Sequence, residues 1–211
     1  MSSIAIEDVA DQVSREIAED LLKQNTILTI EHDFEQRERE MAAVEGWTDR
    51  GAPIFDPAVN TLTRDNSFWI KVRARGEPGI VATAAVRHYP KTCFGEIFSN
   101  SRLIYDGTKP ANGHWVASSI EEVAAVRGDF GFIGGGWVRK DFRRRHLPAL
   151  IMGFCQVALL QHYGLDYAFG MVHHHDAETG LAVRSYHFRH QHRGVQWYWP
   201  ERGILDLWLL Y

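Results

Sequence analysis

Apolar residues recur at helical spacing over residues 6–25, with Ile6, Val9, Val13, Ile17, Leu21 and Leu22 on one stripe and acids in the first turn. That stretch predicts an amphipathic helix. The β-branched run TILTIEH (26–32) predicts a strand, and the charged run 33–46 a second helix. Residues 47–66, with Pro53, Pro57 and several turn formers, read as irregular. Strict alternation returns in SFWIKVRAR (67–75), GEPG makes a turn, and IVATAAVRHY (80–89) completes a β-hairpin. Residues 90–128 are less patterned, with a short FGEIF segment and a helical IEEVAAV at 120–126.

The second half is more regular. GFIGGGWV (131–138) is an apolar run interrupted by glycines, which suits a strand with a bulge or a close backbone approach. Residues 147–164 form a long apolar helix, with Pro148 in its first turn and Gly164 at its stop. LDYAFGMV (165–172) predicts a core strand, 178–190 a helix, and VQWYW (195–199) and ILDLWLLY (204–211) two closing strands. A parallel strand pair joined by a crossover helix thus sits in an otherwise antiparallel set. The fold class is α/β or α+β with one mixed sheet, expected as a single domain over 1–211.

Composition narrows the function. The chain has 211 residues, 45% of them hydrophobic and 12% aromatic, enough for a sizeable core. Its net charge of −4 argues against a dedicated nucleic-acid binder. Cys93 and Cys155 form neither a disulfide framework nor a metal knuckle. The acidic start MSSIAIEDVADQ has no apolar core of a signal peptide, and no apolar run reaches a membrane span. The expectation is a cytoplasmic protein with no membrane partner.

The chemistry concentrates in GGGWVRKDFRRRHLPALIM (134–152). A strand ends at Val138 and a helix begins near Leu147. The first amides of a helix lack internal partners and carry partial positive charge, which stabilises a phosphate there. Arg143, Arg144, Arg145 and His146 add charge beside it, and arginine suits bidentate phosphate contact. A solvated basic turn without a ligand is the alternative.

This segment resembles the GCN5-related N-acetyltransferase (GNAT) superfamily, whose bulged strand ends in V-x-P-x-x-[QR]-x-x-G-x-[GA] before a helix. Val138 and Arg143 match; Lys140, His146 and Pro148 stand where the pattern has proline, glycine and Gly/Ala. Downstream, Ala182 and Tyr186 match a family helix pattern N-x-x-A-x-x-[LF]-Y-x-x-x-G-F, with Thr179 at its first position. The resemblance covers roughly residues 67–211. It implies a central parallel pair splayed around a cofactor cleft, with residues 1–66 on the acceptor side. It implies acetyl-CoA or another acyl-CoA as co-substrate. Gly136, Trp137 and Val138 would face its pantetheine arm. Arg143, Arg144, Arg145, His146, Leu147 and Ala149 would face its pyrophosphate.

The implied activity is acyl transfer to an amine, on a small molecule or a peptide. It needs a base for the amine, donors for the oxyanion and an acid for the leaving thiolate. Tyr186 is the candidate acid, and an amide near Gly136 or Val138 the oxyanion donor. No carboxylate lies between Gly131 and Val138. The run His173, His174 and His175 follows the core strand, so His174, at its centre, is the candidate base and Glu96 the second choice. The histidines, with His187, His190, His192 and Asp176, lack metal-ligand spacing, and no metal is expected. Two alternatives stay open. One is an N-acyl homoserine-lactone or amino-acid synthase fed by acyl carrier protein, which the arginine-rich surface would suit. The other is a binding module of this fold without catalysis. A homodimer is also open.

Overall fold

The computed structural model describes residues 6–44, 53–107 and 113–211. Helix α1 (Ile6–Lys23) leads into strand β1 (Thr26–Glu31) and helix α2 (Phe34–Ala42), the latter capped by the Asp33 carboxylate on the Gln36 amide. The hairpin β2 (Ser67–Ala74) and β3 (Ala82–Cys93) follows. Helix α3 (Phe94–Phe98), strand β4 (Trp115–Ser118) and helix α4 (Glu121–Ala124) occupy the weakly patterned middle. Then come β5 (Arg127–Val138), α5 (Leu147–Tyr163), β6 (Tyr167–His173), α6 (His174–Glu178), α7 (Leu181–Tyr186), β7 (Gln191–Trp199) and β8 (Gly203–Leu210).

The eight strands among the described residues join one sheet in the order β1-β2-β3-β5-β6-β8-β7-β4. Among the described residues only β5 and β6 run parallel, bridged by α5, and every other pairing is antiparallel. This is the mixed α+β architecture the strand pattern predicts. No helix among the described residues is long and apolar enough to cross a membrane.

The sheet has a core on each face. Along β2, Phe68, Ile70 and Val72 pack with Ile17 and Leu21 of α1 and Leu147, Ile151 and Cys155 of α5. Trp69 points the other way, to Phe34 and Met41 of α2, Phe55 and Phe132. The period-two alternation of a strand thus places α1 and α5 on one face and α2 on the other.

Two expectations are revised. The helix expected over 178–190 is confined to α7, because Gly180 takes a left-handed φ of +68° just before it and His187 ends it at +58°. Strand β3 runs past Pro90, where the register with β5 shifts between Tyr89 and Thr92 and Lys91 takes a φ of +45°. Proline offers no ladder donor there, so the strand bulges and resumes. The end of the helix expected over 33–46 lies partly outside the described residues.

Candidate active site

The parallel pairing of β5 and β6 runs from Phe130↔Tyr167 to Ile133↔Gly170 and then stops. Gly170 permits the last close approach: a Cβ there would sit 3.1 Å from the Ile133 carbonyl. Beyond it β6 stays with β8, while β5 stays with β3. The two strands therefore part, and a cleft opens between them.

The β5 side of the cleft is bulged. Ala85 pairs with Gly134 and Thr83 with Trp137, so two steps on β3 match three on β5. Gly135 carries the left-handed φ of +59°. The side-chain directions show the same slip. A Cβ at Gly134 or Gly135 would face Phe55, whereas one at Gly136 would meet Met152 of α5. Two successive positions face one side before alternation resumes, as a β-bulge requires.

Gly136, Met152, Asp176 and Tyr186 line two adjoining hollows in this cleft. The larger, about 490 Å³, extends to Val138, Arg143, Arg144 and Pro148. The smaller, about 230 Å³, reaches the parting of the strands at Ile133, Gly170 and His173. The glycine strand, the basic turn and the tyrosine of α7 thus share one continuous space, although they are far apart in sequence.

The turn itself is tightly wound. Arg143 donates from Nε to the Val138 carbonyl at 3.1 Å, tying the turn to the end of β5. Arg144 and His146 have φ of +64° and +58°. His146 thus takes the backbone conformation that favours the glycine of the family pattern, and its side chain is exposed. The first helical bond of α5 runs from the Leu150 amide to the His146 carbonyl at 3.1 Å, so the amides of Leu147 and Ala149 precede it. Pro148 stands in this same turn, where a missing N–H costs little. Arg139 and Arg145 lie against the Phe142 ring at 4.7 and 4.6 Å, and Arg139 also pairs with Glu77 and Asp141.

Tyr186 ends α7 in the cleft wall, with its carbonyl bonded by Gln156 of α5 at 2.9 Å. Burial, then the nearby charge of Asp176, raises its phenol above the ordinary value of 10.0. The histidine run divides. His173 lines the cleft. His174 instead takes the Trp208 indole N–H on Nδ1 at 2.9 Å and places Nε2 2.9 Å from Glu178. Indole only donates, so Nδ1 is the acceptor of this bond, and Nε2 lies beside the Glu178 carboxylate. Glu96, on α3, is engaged by Thr92, Arg102 and Arg127 at the far end of β5 from the bulge. His190 and His192 stack on Tyr211 at 5.0 and 5.5 Å. Among the described residues, no group of three or more His, Cys, Asp or Glu side chains is placed to hold a metal.

No family model matches the sequence, and no curated protein matches it. Among solved structures, the fold is similar to Arabidopsis thaliana NAA60 in complex with acetyl-CoA, at 12% identity and a TM-score of 0.49, covering 88% of this chain and 98% of that one. It is similar to the same protein with a bisubstrate analogue, again at 12% and 0.49, covering 88% and 96%. At that distance the likeness carries no argument about the chemistry of this chain.

Asp176, weighed in the sequence only as a metal ligand, follows directly on the histidine run and shares both hollows with Tyr186. One residue of the cleft region escapes the sequence reading. Arg37 is buried against the bulge at Gly135. Its signal was present: Phe34, Arg37 and Met41 are spaced three and four apart, so the arginine stands on the apolar stripe of α2.

Proposed function

We propose that the protein is an N-acyltransferase that moves an acyl group from acetyl-CoA or another acyl-CoA to an amine. The observation that carries this reading is the cleft itself, which joins the basic turn at the start of α5 to Tyr186 across the bulge of β5. In this reading the pantetheine arm lies along Gly136, Trp137 and Val138. The pyrophosphate meets the amides and charges of Arg143, Arg144, Arg145, His146, Leu147 and Ala149.

The chemistry follows from the cleft residues. The amine nitrogen attacks the thioester carbon, and the carbonyl electron pair moves onto oxygen, where an amide of the bulge stabilises it. Collapse breaks the C–S bond. Tyr186, a phenol that is protonated at neutral pH and that burial raises further, gives its proton to the leaving thiolate. His173, at the cleft, takes the amine proton; an imidazole suits that work near neutral pH. His174, held by the Trp208 indole and beside Glu178, is left to orient this segment.

Calorimetry with acetyl-CoA and with free CoA tests the reading. Micromolar binding of either supports it, and no binding of any CoA species at millimolar concentration would sink it. The exposed Arg143, Arg144 and Arg145 also favour a second reading, an acyl carrier protein as donor. Tight salt-sensitive binding of acyl carrier protein with no CoA binding would select it. An open cleft, rather than one filled by side chains, favours an enzyme over a binding module.

A further inference from the structure

Arg37 is the most buried charge near the cleft, with a side chain only 1% exposed. Its partners are poor for such a position. Nη2 donates to the Gly135 carbonyl at 3.4 Å, and Nη1 lies 3.7 Å from Glu38. Its carbon centre is 5.7 Å from the Phe55 ring. Nε is buried with no hydrogen-bond partner among the described residues. Burial lowers its pKa to about 10, so it remains charged at neutral pH. A buried guanidinium held this loosely is a net cost to stability, and an apolar side chain of similar length would pack on Phe55 without it.

What the arginine does hold is the one peptide of β5 that matters most. Its contact is the carbonyl of Gly135, the left-handed residue of the bulge. A trans peptide sets the next N–H antiparallel to that carbonyl, and there are no cis peptides among the described residues. Arg37 belongs to the face covered by α2, whereas Gly136 faces Met152 on the α5 side and lines both hollows with Tyr186. Drawing the Gly135 carbonyl toward Arg37 therefore turns the Gly136 N–H toward the cleft. A cation on the carbonyl also polarises the peptide and strengthens that N–H as a donor.

We propose that Arg37 is a positioning residue: it fixes and polarises the Gly135–Gly136 peptide so that the Gly136 amide donates to the thioester oxygen. This rests on the acyl-CoA reading above. Arg37 touches no substrate and acts through the peptide.

The test compares wild type with Arg37→Met and Arg37→Lys, using the full chain. With acetyl-CoA labelled with ¹³C at the carbonyl, the infrared C=O stretch of the bound thioester is expected to fall below its free value in wild type. It is expected to return to near that value in Arg37→Met and to be partly restored in Arg37→Lys. Affinity for free CoA should stay within about threefold, because the pyrophosphate turn is untouched. A C=O stretch in Arg37→Met equal to that of wild type overturns the proposal. Should Arg37→Met not fold, Arg37→Gln, also uncharged, carries the same expectation. If wild type binds no CoA species, the functional reading fails, and the thioester role fails with it. The ligand-free ¹⁵N spectrum then still reads the peptide: an unmoved Gly136 amide in Arg37→Met would show that Arg37 does not set it.

Discussion

Trp208 donates its indole N–H to Nδ1 of His174 at 2.9 Å, and the other ring nitrogen lies 2.9 Å from the Glu178 carboxylate. The residue at the centre of the histidine run is thus a strut between α6 and β8, while His173 reaches the cleft. Replacing His174 with Gln should lower stability by about 1 kcal/mol, the size of a partly exposed hydrogen bond, and leave the transfer rate within about threefold. Replacing His173 with Gln should slow transfer by roughly 10²-fold, the usual contribution of a general base. Thermal unfolding and single-turnover assays on both variants read the difference. A slow His174→Gln beside a fast His173→Gln would reverse the assignment.

Tyr186 predicts an asymmetric pH profile. Burial, and secondly the charge of Asp176, raises its phenol above 10.0. The proton is therefore bound throughout the neutral range and is lost only as pH rises through the raised value. Any alkaline loss of rate due to Tyr186 is displaced to higher pH than an ordinary tyrosine would give. Tyr186→Phe should remove that limb and reduce kcat by roughly 10²-fold, with KM for acetyl-CoA little changed. An unaltered kcat would leave the tyrosine as packing only.

The legible parts of the molecule were those whose structure follows from local pattern. The alternation of SFWIKVRAR and the apolar length of 147–164 predict β2 and α5 because each buries a face dictated by its own period. The glycines at 134–136 announce a bulge for the same local reason. Strand β4 was not legible: four residues, Trp115–Ser118, become a strand only by pairing with β7, some eighty residues later in the chain. The site divides likewise. Motif spacing singles out the turn at 143–149 and Tyr186, which line one hollow, but the bond that ties His174 to Trp208 follows from no local pattern.

His146 holds a left-handed backbone where glycine would be unstrained. The αL penalty of about 1–2 kcal/mol is partly offset by the extra unfolded-state freedom of glycine, of about 0.5–1 kcal/mol. His146→Gly should therefore stabilise the protein slightly and raise Tm by roughly 1–4 °C. Acetyl-CoA affinity should fall by no more than about tenfold, since the imidazole is lost but the turn amides keep their directions. Calorimetric melting checks this. A lower Tm would mean that the exposed imidazole contributes contacts that outweigh the backbone strain.

Gly135 and Arg37 should prove coupled. A Cβ at Gly135 would lie 2.7 Å from Arg37 Nη2, and the φ of +59° is itself unfavourable for a side chain. Gly135→Ala therefore meets two separate penalties. The backbone part, about 1–2 kcal/mol, depends only on residue 135. The steric part depends on whether a guanidinium stands in the way. In an Arg37→Ala background the second part vanishes, so Gly135→Ala should be milder there by about 1 kcal/mol or more. Denaturant melts of wild type, the two single variants and the double variant give the coupling directly. Strict additivity would show that the arginine swings away freely. It would then not be held at the Gly135 carbonyl, and the orientation of the Gly136 amide would need another cause.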